Sequence, residues 1–246
     1  MVELTPREIM RYDRQIRIDG LGIEGQKKLK SARVLVAGLG GLGCPASIYL
    51  AAAGIGELII VDKERVELSN LNRQILHWEK DIDKFKVDSA LEKLREINSD
   101  IEIKGEVLEI DEENIYDLIK KSDIVIDGMD NFKTRFIINK ACWELKIPFI
   151  HAAIHGLIGN LLTIIPNGGP CLQCLIPQEP PEIKPFPVLG ATPAIMATLQ
   201  VMEAIKIITG IGKPAVGKLI IFDGWSMEFS ELKIKSAPDC RVCGNK

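Results

Sequence analysis

The run VLVAGLGGLG at residues 34–43 constrains this chain more than any other. A short β-branched run enters it, and a helical pattern reaching about Ala53 leaves it. Gly38, Gly40, Gly41 and Gly43 let the backbone turn tightly and bring its amides close to a phosphate at a helix N-terminus. The next apolar run, 58–61, ends at Asp62, at the roughly 20-residue offset where a carboxylate accepts hydrogen bonds from ribose hydroxyls. Strand, loop, helix, strand and acid in that order predict a dinucleotide-type fold, and by themselves they suit NAD, FAD or ATP alike.

At 246 residues, with no linker, repeat or low-complexity tract, the chain reads as a single domain over 1–246. We expect N-terminal helices over 1–30, a nucleotide-binding half over 31–152 and a second half over 153–246. Thr5, Pro6 and Glu8 spell a helix start with a capping box. Strand patterns at 34–37, 58–61, 101–107, 124–127 and 149–152 alternate with helical ones near 84–97, 112–120 and 131–145. Such alternation predicts a parallel sheet covered on both faces.

Beyond residue 152 the rhythm changes. A strand at 161–165 and a hairpin of 218–222 with 228–235 around Asp223 and Gly224 predict an antiparallel C-terminal part. Between them lies an apolar, buried helix with Thr192 as N-cap, Pro193 at the first helical position and Gly210 past its end. Pro177, Pro180, Pro181, Pro185 and Pro187 predict an extended, mobile segment within a crossover at 175–190. The expected class is therefore α/β, Rossmann-like, with a mostly parallel sheet.

A net charge of -3 spread evenly along the chain argues against a general nucleic-acid surface. Two uncharged stretches, 34–56 and 147–177, are broken by Gly, Pro, His or Asn and do not read as membrane spans. With no secretory pattern at its start, the chain is expected in the cytoplasm.

The segment KERVELSNLNRQ follows Asp62 and ends in Asn70, Arg73 and Gln74, with Lys86 at the start of the next helix. A dinucleotide held by backbone amides has little use for these cations, whereas displacement at a triphosphate concentrates negative charge that Arg73 and Lys86 would answer. The segment DGMDNFKTR puts Asp127 and Asp130 at the carboxyl edge of the sheet, where Asp130 can hold magnesium. The plainer alternatives are a helix N-cap for Asp130 and a solvated helix face for Lys86.

Cys171 and Cys174 form one C-x-x-C, and Cys240 and Cys243 form another. Two such knuckles predict a four-thiolate structural zinc site with no open position for water, with disulfides or a redox pair as alternatives. Cys44 and Cys142 read as packing residues, and His151 and His155 as core or substrate-channel residues. His77 has no partner that the sequence identifies.

Taken together, GLGGLG, Asp62, SNLNRQ, Lys86, DNFKTR and the N-terminal RYDRQ resemble the ubiquitin-activating-type adenylyltransferases of the MoeB, ThiF and HesA branch. The likeness runs from Arg11 to Cys243. It implies MgATP-dependent adenylylation of the C-terminal glycine of a small ubiquitin-like sulfur carrier ending in Gly-Gly, with release of pyrophosphate. By that resemblance Asp62 holds the ribose, Asn70, Arg73 and Lys86 contact the phosphates, and Gln74 supports them. Asp130 binds magnesium beside Asn131, and Arg14 reaches into the other subunit of a homodimer.

The departure is the crossover, where relatives often carry a cysteine and residues 175–190 hold none. Transfer of the activated carrier to sulfur from a partner, such as a sulfurtransferase, is the expectation that follows. Rival readings are activation of a carboxylate on modified tRNA or of a peptide, a nicotinamide or flavin oxidoreductase, and the inactive half of a heterodimeric activating enzyme.

Overall fold

The computed structural model describes residues 2–181 and 186–244. The run 34–37 forms β1 (Arg33–Ala37), which pairs in parallel with β2 (Glu57–Val61) on one side and β4 (Ile124–Asp127) on the other. Outside β2 lies β3 (Glu102–Glu106), and outside β4 lies β5 (Phe149–His155), both also parallel. The antiparallel strands β6 (Ile158–Ile164), β7 (Lys218–Asp223) and β8 (Glu228–Lys233) complete one sheet of order β3-β2-β1-β4-β5-β6-β7-β8.

The apolar runs of β1, β2 and β4 are buried nearly end to end, as strands covered on both faces must be. Alternate residues then serve two cores. Val34, Val36, Leu58 and Ile60 face one layer, and Leu35, Ala37, Ile59 and Val61 face the other. The first layer is built by α3 (Gly22–Ser31), α4 (Gly43–Ala53), α5 (Lys86–Ile97) and α9 (Ala191–Thr209). The second is built by α6 (Ile115–Ile119), α7 (Phe132–Leu145) and α8 (Leu172–Leu175). Ahead of the sheet, α1 (Pro6–Arg11) starts with the capping box of Thr5 and Glu8, and α2 (Asp13–Ile16) follows.

Two local expectations change. Thr192 is not the cap of α9: Gly190 stands there, and Thr192 in the first turn donates its hydroxyl to the Gly156 carbonyl at 3.0 Å. Pro193 is tolerated in that first turn because the amide it lacks has no helical partner there. The strand expected at 161–165 begins at Ile158, and β5 runs on to His155, which pairs with it. Only Gly156 and Leu157 separate the strands, and Gly156 at φ +61 supplies the positive angle that a two-residue hairpin needs. Of the proline-rich crossover, residues 177–181 and 186–187 are irregular as expected; the mobility expected of it falls partly on 182–185, outside the described residues.

Strand order reverses direction between β1 and β4, which makes their carboxyl ends the switch point of the sheet. Backbones meet there without side chains between them. A Cβ on Gly43 would lie 1.8 Å from the Gly38 carbonyl oxygen, and one on Gly128 would lie 2.5 Å from the same atom. Gly38 itself sits at φ +95 with the Gly128 oxygen 2.7 Å from where its Cβ would be. Because the obstacle is backbone rather than a flexible side chain, Gly43→Ala should cost at least about 3 kcal/mol, whereas Gly156→Ala, with open space around it, should cost about 1 kcal/mol. Urea denaturation of the two variants checks the ranking; equal midpoints would refute it.

Candidate active site

The crevice is floored by the glycine loop, and Leu39 in its middle is held from both sides. Its amide donates to Asp62 Oδ2 at 2.7 Å, while Asp62 Oδ1 accepts the Glu64 amide at 2.8 Å. Burial pushes the Asp62 carboxyl above its usual range, against the opposing pull of Lys86 and these two amides. The Leu39 carbonyl accepts from Cys44 Sγ at 3.1 Å and lies 3.2 Å from His77 Nε2.

Lys86, the first residue of α5, is 2% exposed and donates to Glu64 Oε2 at 2.7 Å. The solvated-face alternative is therefore wrong. Its partner Glu64 is exposed, and a buried cation is costly to keep, so the position needs negative charge nearby. Arg73 donates to the Ser69 carbonyl at 2.9 Å and to Asn72 Oδ1 at 3.1 Å. Its Cγ lies 3.5 Å from where a Gly41 side chain would begin, so the stem runs along the loop. Gln74 Nε2 lies 3.9 Å from the same point on Gly40, and its buried Oε1 has no hydrogen-bond partner among the described residues. Asn70 is buried and accepts the Glu67 amide through Oδ1 at 3.1 Å. Thus the structure brings Gly38, Gly40, Gly41, Gly43, Asp62, Asn70, Arg73, Gln74 and Lys86 around one loop.

Past the end of β4, Asn131 rather than Asp130 caps α7, accepting the Thr134 amide at 2.9 Å. The capping alternative for Asp130 falls with that observation. Asp130 is exposed, with Oδ1 3.3 Å from Asn131 Nδ2. Lys63, which directly follows Asp62, is raised in pKa chiefly by its pair with Glu109 and also feels the Asp130 charge. An exposed carboxylate just past the end of β4 suits the oxygen donors magnesium takes.

Arg14 lies elsewhere. Its neighbours Tyr12 and Gln15 bind the far end of α4: the Tyr12 ring packs on Gly54, and Gln15 Nε2 donates to the Ala53 carbonyl at 3.1 Å. The glycine loop meets the opposite end of that 11-residue helix. Arg14 itself is exposed.

Beneath Asp130 sits a buried cluster that the sequence did not announce. Fully buried Asp127 accepts from Arg135 Nε at 3.0 Å, from His151 Nδ1 at 2.6 Å and from the Met129 amide at 2.9 Å. Burial alone would raise this carboxyl, but Arg135 and His151 outweigh it and hold it below the usual range. Burial lowers the pKa of His151, against the opposing effect of the bond it donates to Asp127. Gln200 of α9 ties the Asp127 and Ile150 carbonyls together at 2.9 and 2.8 Å. The sequence places Asp127 at the carboxyl edge of the sheet and reads His151 as a core or substrate-channel residue, but it singles out neither Arg135 nor Gln200. Asp127, Arg135 and His151 lie on three elements, and nothing in their spacing joins them. His155, by contrast, is exposed.

His77 also gains partners, with Nδ1 2.9 Å from Ser89 Oγ on α5. Cys44 and Cys142 are fully buried, as expected of packing residues, and burial pushes the Cys44 thiol up to about 12.

At the other end of the sheet, the sulfurs of Cys171, Cys174, Cys240 and Cys243 all lie within 4.8 Å of one another. Four thiolates about 2.3 Å from a tetrahedral zinc stand roughly 3.8 Å apart, so the cluster fits that ion. Asn139 Oδ1 of α7 accepts the Leu172 amide at 3.0 Å and fastens this knuckle to the helix that follows Asp130.

Comparison with known proteins agrees with this geometry. The model of the ThiF family matches residues 12–242. The SAMP-activating enzyme E1 of Haloferax volcanii is 39% identical over 99% of this chain and 92% of its own length. The adenylyltransferase and sulfurtransferase MOCS3 of Culex quinquefasciatus is 41% identical over 100% of this chain, which spans 57% of that protein. Among solved structures, E. coli MccB with MccA-N7isoASN superposes at a TM-score of 0.87 with 26% identity, covering 96% of this chain and 75% of MccB. The same enzyme with ATP gives 0.83 and 27%, covering 95% and 74%.

The buried ring of His77 has a pH consequence. Burial lowers its pKa from 6.5 to about 4, against the bond to Leu39 and with Lys86 and Lys93 adding to the fall. Protonation therefore favours the unfolded chain: the stabilisation is complete above pH 6.5 and is lost as pH falls through 4. Between pH 7.5 and 4.5 the wild type should lose roughly 2–3 kcal/mol more than His77→Gln, which has no ring to charge. Urea midpoints across that range measure the difference, and parallel slopes would refute it.

Proposed function

The chain belongs to the ThiF family, and from that membership we propose that it adenylylates the C-terminal carboxylate of a small ubiquitin-like sulfur-carrier protein, using MgATP and releasing pyrophosphate. One observation carries the reading: the Arg73 stem runs along a glycine loop whose amides suit phosphate, and buried Lys86 lies close to Asp62, which grips the middle of that loop. A nicotinamide or flavin site would have no use for two such cations. Further support comes from relatives named as a SAMP-activating enzyme and as an adenylyltransferase, and from MccB, solved with ATP on the same fold.

In this reading a carboxylate oxygen of the carrier attacks the α-phosphorus, a new P–O bond forms, and the bond to the β-phosphate oxygen breaks. The nucleophile is already ionised at neutral pH, so no general base is needed. Asp62 orients the ribose, Asn70 and Gln74 fix the loop that carries Arg73, and Arg73 and Lys86 take up charge on the phosphates. Asp130, beside Asn131, would hold magnesium, which supplies charge neutralisation on the leaving pyrophosphate. Catalysis is then positioning and electrostatics.

Arg14 fits a homodimer, because it lies at the end of α4 away from its own glycine loop. Exposed apolar side chains on neighbouring elements, Met10, Ile23, Tyr49 and Met202, support the same assembly. With no cysteine between 175 and 190, sulfur would come from a partner, and the sulfurtransferase in the name of one relative suggests the class. All of this chemistry belongs to the cytoplasm.

ATP–pyrophosphate exchange with a Gly-Gly-ending carrier is the test. Asp130→Ala and Arg14→Ala should each lower exchange on the order of 100-fold or more, and mixing the two variants should restore part of it through hybrid dimers. Exchange undiminished in Asp130→Ala would overturn the magnesium assignment, and no recovery despite subunit exchange would overturn that of Arg14. The four-cysteine cluster should hold about one zinc per chain by elemental analysis. Replacing Cys171 with Ser should remove it and lower the melting temperature, while a metal-free wild type of unchanged stability would refute a structural zinc.

A further inference from the structure

His77 belongs to none of the roles above, yet it stands between the two elements that would bind phosphate. Its Nε2 lies 3.2 Å from the Leu39 carbonyl in the glycine loop, and its Nδ1 lies 2.9 Å from Ser89 Oγ on α5. Ser89 shares the inner face of that helix with Lys86 and Lys93, at spacings of three and four residues, and all three are buried.

Donors and acceptors along this line can be assigned. A carbonyl oxygen only accepts, so the 3.2 Å contact to Leu39, shorter than the 3.6 Å approach of Cys44 Sγ to the same nitrogen, assigns the ring proton to Nε2, and Nδ1 then accepts from the Ser89 hydroxyl. Ser89 in turn accepts from Lys93 Nζ at 2.8 Å, and Lys93 is anchored by buried Asp81. The chain of donors therefore runs in one direction, from a fixed ammonium to the loop carbonyl, and each bond polarises the next.

A phosphate-binding loop presents its amides to the ligand, which leaves its carbonyls to be satisfied from behind. For Leu39 those donors are His77 and the Cys44 thiol at 3.1 Å, while Asp62 takes the amide of the same residue at 2.7 Å. We propose that His77 is a positioning residue for the nucleotide phosphates: in its Nε2–H tautomer it is a strut that holds the glycine loop at a fixed separation from the helix carrying Lys86. The inference rests on the MgATP reading and adds to it a residue that touches no substrate.

The strut acts on the phosphate-binding elements and leaves the rest of the nucleotide site alone, so MgATP and adenosine should respond differently to its loss. In calorimetric titrations, His77→Leu should weaken MgATP on the order of tenfold and adenosine less than twofold. His77→Gln, whose Nε2 can replace the ring donor, should stay within about threefold of wild type. His77→Asn, which can reach only toward Ser89, should behave like the Leu variant. Equal weakening of MgATP and adenosine would mark a merely structural role and overturn the proposal, as would an unchanged MgATP affinity in His77→Leu or an Asn variant as good as Gln. A wild type that binds no MgATP at all would sink the functional reading itself, a result distinct from these.

A second measurement needs neither a variant nor a nucleotide. The chain has 3 histidines, and nitrogen-15 spectra of the labelled rings at neutral pH should show one fixed Nε2–H tautomer, from His77. His151 should instead show a proton at Nδ1, and exposed His155 should average between states. Finding no fixed Nε2–H ring would overturn the strut whatever the variants do.

Discussion

Everything in the site depends on backbone meeting backbone at the ends of β1 and β4. The oxygen of Gly38 occupies space that a side chain at Gly43 or Gly128 would fill, so three glycines allow the loop, the start of α4 and the end of β4 to close on one another. That contact decides where the loop amides sit. It also lets Asp62, arriving on β2, reach the middle of the loop. Most of what surrounds the crevice can be understood as support for a loop with no side chains to hold it.

Support comes from buried charge, which is expensive and therefore paired. Asp127 is satisfied by Arg135, His151 and an amide, and Asp81 by Lys93 and the Trp78 amide. Each cluster lies behind one wall of the crevice, the first under β4 and the second against α5. Removing one member of such a group would strand the others in a medium that cannot solvate them. Lys86 differs because its hydrogen-bonded partner Glu64 is exposed, so its charge is the less fully answered one, and it lies close to Asp62.

Much of the frame was legible because it is written in local pattern. The glycines, the acid ending the second strand, the capping box at Thr5 and the paired C-x-x-C knuckles are all short-range signals with one physical meaning each. The hairpin at Gly156 was readable in principle, since a glycine before one further residue between two apolar runs is a turn signal. His155 and Asn160 blur the alternation that would carry the two strands up to that turn. Thr192 had the composition of a cap, but the chain turns into the helix two residues earlier. What could not be read was which side chains face each other across the fold. Lys86 at a helix start looks solvated until the segment after β2, with Asp62 and Glu64, is known to lie beside it. His77 and Ser89 are twelve residues apart and acquire meaning only through Leu39. Asp127, Arg135 and His151 meet because β4, α7 and β5 are neighbours, which is a statement about topology rather than sequence.

The meeting of Gly38 with Gly128 has a thermodynamic side. The strands that bring them together also join Arg33 to Asp123 across a separation of 90 residues, whereas β5 with β6 and β7 with β8 are closed by short turns. The crevice is thus the seam of the widest loop in the sheet, and closing it carries the largest share of chain entropy. On the proposed function, a nucleotide seated across that seam would bind only the closed form, so by mass action it would act as a clasp on the part of the molecule most expensive to assemble. Substrate occupancy and the integrity of the parallel sheet are then two readings of one equilibrium.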